Sequence, residues 1–205
     1  MKQEQYIEDL KDIRDIMNRS SRFISLSGWS GVSAGFFALC GAYAAYQTVY
    51  TNQDYLGFRS ATITMESLLS LLGIAVLTLG CSIGAGIFFT TREARKKGQS
   101  IWDHQSKRLL TALAIPLLTG AILCFILLSK GYIGIVAPLT LTFYGLALVN
   151  ASKYTLTEIR SLGLIEIILG LIATYYIGFG LLFWSVGFGL LHIIYGIMMQ
   201  MKYKS

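Results

Sequence analysis

Long apolar runs alternate with short polar connections along almost the whole chain. A helix needs about 20 apolar residues to cross the ~30 Å hydrocarbon layer of a bilayer, because every backbone amide must be bonded within the segment. Four runs contain no formal charge, the fifth contains one glutamate and the sixth contains one histidine. The pattern predicts six transmembrane helices arranged as three hairpins, at residues 23–46, 67–90, 109–128, 133–150, 162–177 and 181–199.

The first 22 residues follow a different pattern. Apolar side chains recur at steps of three and four, which is typical of one face of a helix. Acidic residues surround this face, whereas binding to anionic lipid would favour Lys and Arg. Residues 1–22 are therefore predicted to form a cytoplasmic amphipathic helix that docks on this chain, on a second copy or on another polypeptide. The predicted docking face consists of Tyr6, Leu10, Ile13 and Met17.

Composition favours a membrane protein, because 54% of the residues are hydrophobic and only 14% are charged. A disordered chain needs the opposite balance, and a soluble domain carries about 25% charged residues. The predicted fold class is therefore all-α, a polytopic membrane helix bundle over residues 23–205 that is surrounded by the lipid bilayer.

The 17 basic residues are distributed unevenly between the connections. Arg59 and Lys130 fall on one side of the predicted spans, and all the others fall on the opposite side. Cytoplasmic loops are enriched in Lys and Arg, so both termini are predicted to lie in the cytoplasm. The net charge of +6 is then an orientation signal, and no direct nucleic-acid partner is expected.

Small residues mark one face of the first two predicted spans. Helices in lipid attract each other through close van der Waals contact, and small side chains allow that contact. The two helices are therefore predicted to pack on each other. The residues assigned to this packing are Gly28, Gly31, Gly35 and Ala38 in the first span and Gly80 and Gly84 in the second.

Glu166 is the only acid within the predicted spans, and His192 is the only histidine. Each lies thirteen residues from Phe179, at the centre of the turn between the last two spans, so an antiparallel hairpin places them at one depth. A carboxylate at the bilayer centre costs about 2.5–3.5 kcal/mol and is a functional candidate by default. The pair could exchange a proton, bind a cation or switch with pH. Two alternatives are a structural hydrogen bond between the helices and a Glu166 that reaches water or Arg160.

No enzyme motif accompanies this pair. The sequence lacks a Gly-x-Ser-x-Gly elbow, a His-Glu-x-x-His pair and a cluster of Cys and His. Intramembrane hydrolysis would need an activated nucleophile or a metal. We therefore expect no enzymatic activity, no catalytic residue, no metal site and no cofactor.

Three segments resemble a family of small bacterial multi-pass inner-membrane proteins of uncharacterised activity. They are residues 17–28 (MNRSSRFISLSG), 131–138 (GYIGIVAP) and 150–155 (NASKYT). The resemblance covers nearly the whole chain and assigns no role to any residue. It implies a location in the bacterial inner membrane and one candidate partner, a soluble winged-helix regulator.

Two functions are consistent with this sequence. The first is a signalling, regulatory or scaffold protein that docks a cytoplasmic or membrane partner, or a second copy of itself, through its cytoplasmic segments. The alternative is a small proton- or cation-coupled transporter or channel that uses Glu166 and His192.

Overall fold

The computed structural model describes residues 27–50, 64–96, 98 and 104–203. These residues form helices joined by short turns, with no strand among them, so the predicted all-α class is confirmed. The predicted N-terminal helix, with Tyr6, Leu10, Ile13 and Met17, lies outside the described residues. The main helices are α1 (Gly28–Tyr50), α2 (Met65–Lys96), α3 (His104–Ser129), α4 (Val136–Ala151), α5 (Glu158–Tyr175) and α6 (Gly180–Tyr203).

Four helices in the described part of the chain are long and apolar enough to cross a membrane. They are α2, α3, α4 with its flanking 3₁₀ turns, and α6. Large apolar side chains cover their outer surfaces: Val76 is 70% exposed and Phe125 is 73% exposed. A continuous apolar exterior of this kind favours contact with hydrocarbon over contact with water. Helices α1 and α5 overlap the first and fifth runs of the sequence.

The turns divide the bundle into two ends. We call the end with the α3–α4 and α5–α6 turns, residues 130–132 and 176–179, the distal end. The opposite end, with the α4–α5 connection at residues 152–157 and the end of α6, is the proximal end. Leu148, Leu156, Ile159, Leu162 and Met199 form a buried apolar cluster there. This cluster holds the ends of α4, α5 and α6 together.

Glycines bring α4 and α5 into backbone contact. A Cβ added at Gly145 would lie 2.5 Å from the carbonyl oxygen of Gly163, and a Cβ at Gly163 would lie 2.7 Å from that of Gly145. No side chain fits between two backbones at this separation. Helix α3 packs on the other side of α4, where Asn150 Nδ2 donates a hydrogen bond of 2.9 Å to the Ala112 carbonyl oxygen.

The glycines of α1 meet a different helix from the one predicted. A Cβ at Gly31 would lie 3.1 Å from Gly196 Cα, and a Cβ at Gly35 would lie 2.5 Å from the Gly189 carbonyl oxygen, so both glycines pack against α6. Gly28 also lies against Gly196. The glycines of α6 in turn leave room for the α1 backbone. Because small residues face each other on both helices, α1 packs closely on α6.

Helix α2 packs on α1 through another face, where Gly41 lies against Thr78. Gly80 and Gly84 have no atom within 4 Å of an added Cβ, so they do not form the packing seam that the sequence predicted. Ala38 is buried, at 4% exposure. The contact between the first two helices therefore exists, but not through the two glycine seams assigned to it.

Candidate functional site: a cluster of tyrosine, histidine and glutamate

Glu166 lies near the middle of α5 and has no exposed surface. Within the described part of the chain neither of its carboxyl oxygens has a hydrogen-bond partner. The His192 ring lies close to it, with Nδ1 at 3.6 Å from Glu166 Oε1. This distance is too long for a hydrogen bond but short enough for a charge interaction when His192 is protonated and Glu166 is ionised. The two side chains lie close together, as predicted, but no direct hydrogen bond joins them.

His192 is 7% exposed and uses both ring nitrogens. Its Nδ1 lies 2.9 Å from the carbonyl oxygen of Gly187, which can only accept a hydrogen bond, so Nδ1 carries a proton and donates. Its Nε2 lies 2.7 Å from the Tyr144 hydroxyl oxygen. In the neutral ring Nε2 therefore accepts a hydrogen bond from Tyr144. These contacts fix both the tautomer and the orientation of the imidazole.

The backbone of α6 changes geometry at this site. Residues Ser185–Leu191 form a π-helical segment between two α-helical segments. Such segments occur often at functional sites, because they redirect side chains and carbonyl groups. Here the segment contains the Gly187 carbonyl group that accepts from His192.

Gly187 also makes room for the acid. A Cβ at this position would lie 2.5 Å from Glu166 Oε2 and 2.5 Å from Leu141 Cδ2. Only a residue without a side chain lets the carboxyl group of α5 lie directly against α6. The placement of Glu166 therefore depends on Gly187 as well as on α5.

Aromatic rings continue from the polar groups toward the distal end. The Phe188 ring stacks on the His192 ring at a centroid distance of 5.9 Å, and its centroid lies 4.9 Å from that of Tyr144. Trp184, one turn closer to the distal end, lies 4.9 Å from Phe188 by the same measure. Phe188 and Trp184 therefore separate the polar cluster from the distal end of the bundle.

The cluster of Tyr144, His192 and Glu166 can hold a proton in two arrangements. With a neutral imidazole and a protonated Glu166, the cluster is uncharged. With an ionised Glu166, it becomes uncharged again if His192 takes a proton on Nε2, and the Tyr144 hydroxyl then accepts from that nitrogen. Both arrangements avoid an isolated buried charge, which is costly in apolar surroundings.

Two of the three side chains were candidates from the sequence. Tyr144 was not, although a tyrosine in the middle of an apolar run is a usable signal, because a buried hydroxyl requires a partner. The alternative in which Glu166 reaches water does not fit a residue with no exposed surface. Among the described residues, no group of three or more His, Cys, Asp or Glu side chains could hold a metal ion.

Comparison of the chain with protein-family models, curated proteins and solved structures finds no match. The resemblance to a bacterial membrane-protein family stays a prediction. The functional argument rests on the site itself.

Proposed function

We propose that the chain is a small multi-pass protein of the bacterial inner membrane, with six spans and cytoplasmic termini. In this proposal Glu166 and His192 form the proton- or cation-binding centre of a coupled transporter or channel. Tyr144 completes the centre by holding the imidazole through Nε2.

The observation that carries the proposal is the Glu166 carboxyl group. It is fully buried, it has no hydrogen-bond partner in the described part of the chain, and it lies 3.6 Å from a histidine. A purely structural acid would be expected to have donors around both oxygens. A site that binds and releases a proton or another cation needs carboxyl oxygens that are not occupied by other hydrogen bonds.

Charge balance suggests how the centre couples fluxes. Loss of the proton from Glu166 leaves one negative charge deep in the bundle, at a cost of about 2.5–3.5 kcal/mol by insertion scales. The charge is balanced when His192 becomes protonated or when a monovalent cation binds beside the carboxylate. Departure of one positive charge is therefore coupled to arrival of another.

The direct test is proton flux into liposomes that contain the purified protein and an internal pH-sensitive dye. With an imposed potential we expect wild-type liposomes to acidify, and Glu166→Gln liposomes to behave like protein-free ones. Glu158→Gln, which changes the first residue of the same helix, is the matched control and should keep the flux. Equal flux from wild type and Glu166→Gln would contradict the proposal.

Tyr144→Phe tests the role of the hydroxyl group, because it removes one hydrogen bond and keeps the ring. Tyr144 is a positioning residue in this proposal, so we expect the pH dependence of the flux to shift rather than the flux to disappear. An unchanged pH profile would exclude this role.

A second candidate function is docking of a cytoplasmic partner by a signalling, regulatory or scaffold protein. It is favoured by the length of α2, whose 32 residues extend about 48 Å, well beyond a ~30 Å hydrocarbon layer. Arg92, Arg95 and Lys96 are exposed near its proximal end. These residues would form a basic docking surface together with the predicted N-terminal helix.

Deletion of residues 1–18 tests the docking function. We expect the partner to be lost from complexes purified from native membranes, while the thermal unfolding of the bundle is unchanged. Retention of the partner by the truncated protein would remove the role assigned to Tyr6, Leu10, Ile13 and Met17.

A further inference from the structure

A lateral cavity of about 480 Å³ lies at the distal end of the bundle, away from Glu166. Its walls are the end of α1, the start of α2, the α3–α4 turn and the start of α6. This volume falls within the range of about 300–1,000 Å³ that is usual for small-molecule sites. Representative lining residues are Ala42, Leu72, Ala75, Ala137, Leu181 and Trp184.

The chemistry of the walls selects an apolar occupant. None of the described residues that line the cavity is charged, and Thr78 supplies the one hydroxyl group among them. Trp184 contributes an indole ring. Anions and nucleotides would find no charged partner here and sugars would find few hydrogen-bonding side chains, whereas a hydrocarbon chain would find van der Waals contacts along the walls.

The dimensions select a single extended chain. On α2 the lining runs from Leu68 to Thr78, which corresponds to a rise of about 15 Å. This length matches half of the ~30 Å hydrocarbon layer, or one leaflet. Dividing the volume by this length gives a cross-section of about 30 Å², enough for one chain of carbon atoms that need about 4 Å from their neighbours.

We propose that this cavity binds one acyl chain of a phospholipid from the leaflet at the distal end. The phospholipid is favoured over other apolar molecules because the bilayer presents it at very high local concentration. Lys130, beside the lining residue Gly131, places a positive charge at the level where the lipid phosphate lies. The inference rests on membrane insertion of the bundle and not on proton binding at Glu166.

Photolabelling in vesicles tests the proposal. The probe is phosphatidylcholine with a diazirine in the middle of one acyl chain, mixed into phosphatidylcholine vesicles that contain the full-length protein. After irradiation, mass spectrometry locates the labelled residues. We expect labelling concentrated on the α2 lining residues Leu68, Leu71, Leu72, Ala75 and Thr78 and on 131–137, and the same labelling in Glu166→Gln.

Ala75→Phe fills the cavity from α2, whereas Val76→Phe adds the same ring at the next residue, which is 70% exposed and does not line the cavity. We expect Ala75→Phe to lower labelling of 131–137 about tenfold, the change that corresponds to about 1.4 kcal/mol of binding free energy, and Val76→Phe to leave it unchanged. Leu72→Trp is a second filling variant, in case Ala75→Phe does not fold.

Three outcomes would overturn the proposal. The first is labelling spread evenly over the exposed face of α2, including Val76. The second is undiminished labelling in a folded filling variant. The third is labelling by a free fatty acid that carries the same diazirine but not by the phospholipid, since this would identify a different occupant.

Discussion

Helices α4 and α5 contrast with helix α2, although all three contain glycines in apolar sequence. Gly145 and Gly163 bring two backbones together, and an added Cβ would meet a carbonyl oxygen at either position. Gly80 and Gly84 on α2 have open space instead. A small residue in an apolar helix therefore permits close packing without causing it. The partner helix decides whether the space is used.

The same contrast separates the polar site from the cavity. Tyr144, His192 and Glu166 lie where α4, α5 and α6 are tightly packed, and glycine at position 187 admits the carboxyl group. The cavity lies beside the contact of α2 with α1, where α2 does not fill the space toward α4 and α6. Tight packing holds buried polar groups in place, and loose packing leaves room for a lipid chain.

The largest expected effect comes from Gly145→Ala, compared with Gly80→Ala. The new methyl group at position 145 must displace the backbone of Gly163, so we expect a loss of about 3 kcal/mol in the free energy of unfolding. Gly80→Ala should be neutral or stabilising by up to about 1 kcal/mol, because alanine favours the helix. Unfolding by SDS titration in mixed micelles measures both values. Equal losses in the two variants would remove the contrast between these regions.

An intermediate effect is expected for Gly187→Ala. Its Cβ would meet Glu166 Oε2 and Leu141 Cδ2, and side-chain ends move more easily than a backbone, so we expect a loss of about 1 kcal/mol. The displaced carboxyl group should also lower the proton flux of reconstituted liposomes. Gly84→Ala, with open space around it, is the control for both measurements. Unaltered flux in a folded Gly187→Ala protein would show that the position of Glu166 is not critical.

The smallest effect concerns Glu158 at the start of α5. Burial alone raises the pKa of Glu158, but hydrogen bonds from Lys202 Nζ and the Tyr203 hydroxyl outweigh it, so the net pKa lies below the ordinary 4.5. A lowered pKa in the folded state stabilises the fold above the ordinary value, and this contribution is lost as the pH falls through the folded-state pKa.

Glu158→Gln should therefore slightly lower the thermal midpoint at neutral pH, and the difference from wild type should shrink as the pH falls below 4.5. Circular dichroism in detergent follows both. Glu66→Gln in the first turn of α2 is the control, since no ion pair joins Glu66 to another described residue. A difference that stayed constant from neutral to acid pH would show that charge is not its source.

Sequence patterns predicted the helices and the proximity of Glu166 and His192. Both follow from local rules, because helix length and the position of a residue relative to a turn are set within one hairpin. The π-helical segment at Ser185–Leu191 and the contact of Tyr144 with His192 were not predicted. The contact depends on α4, because Tyr144 lies 48 residues away from His192 in sequence.

The sequence by itself determined that this chain is a bundle of apolar helices with Glu166 and His192 at one depth of its last hairpin. Only the tertiary structure decided that α1 packs its glycines on α6, that Tyr144 holds the imidazole, and that α2 leaves a cavity beside it. The physical reason is the difference in energy scale. Membrane insertion is favoured by the transfer free energy summed over about 20 apolar residues of each run. The pairing of helices depends on small differences in van der Waals contact between similar surfaces.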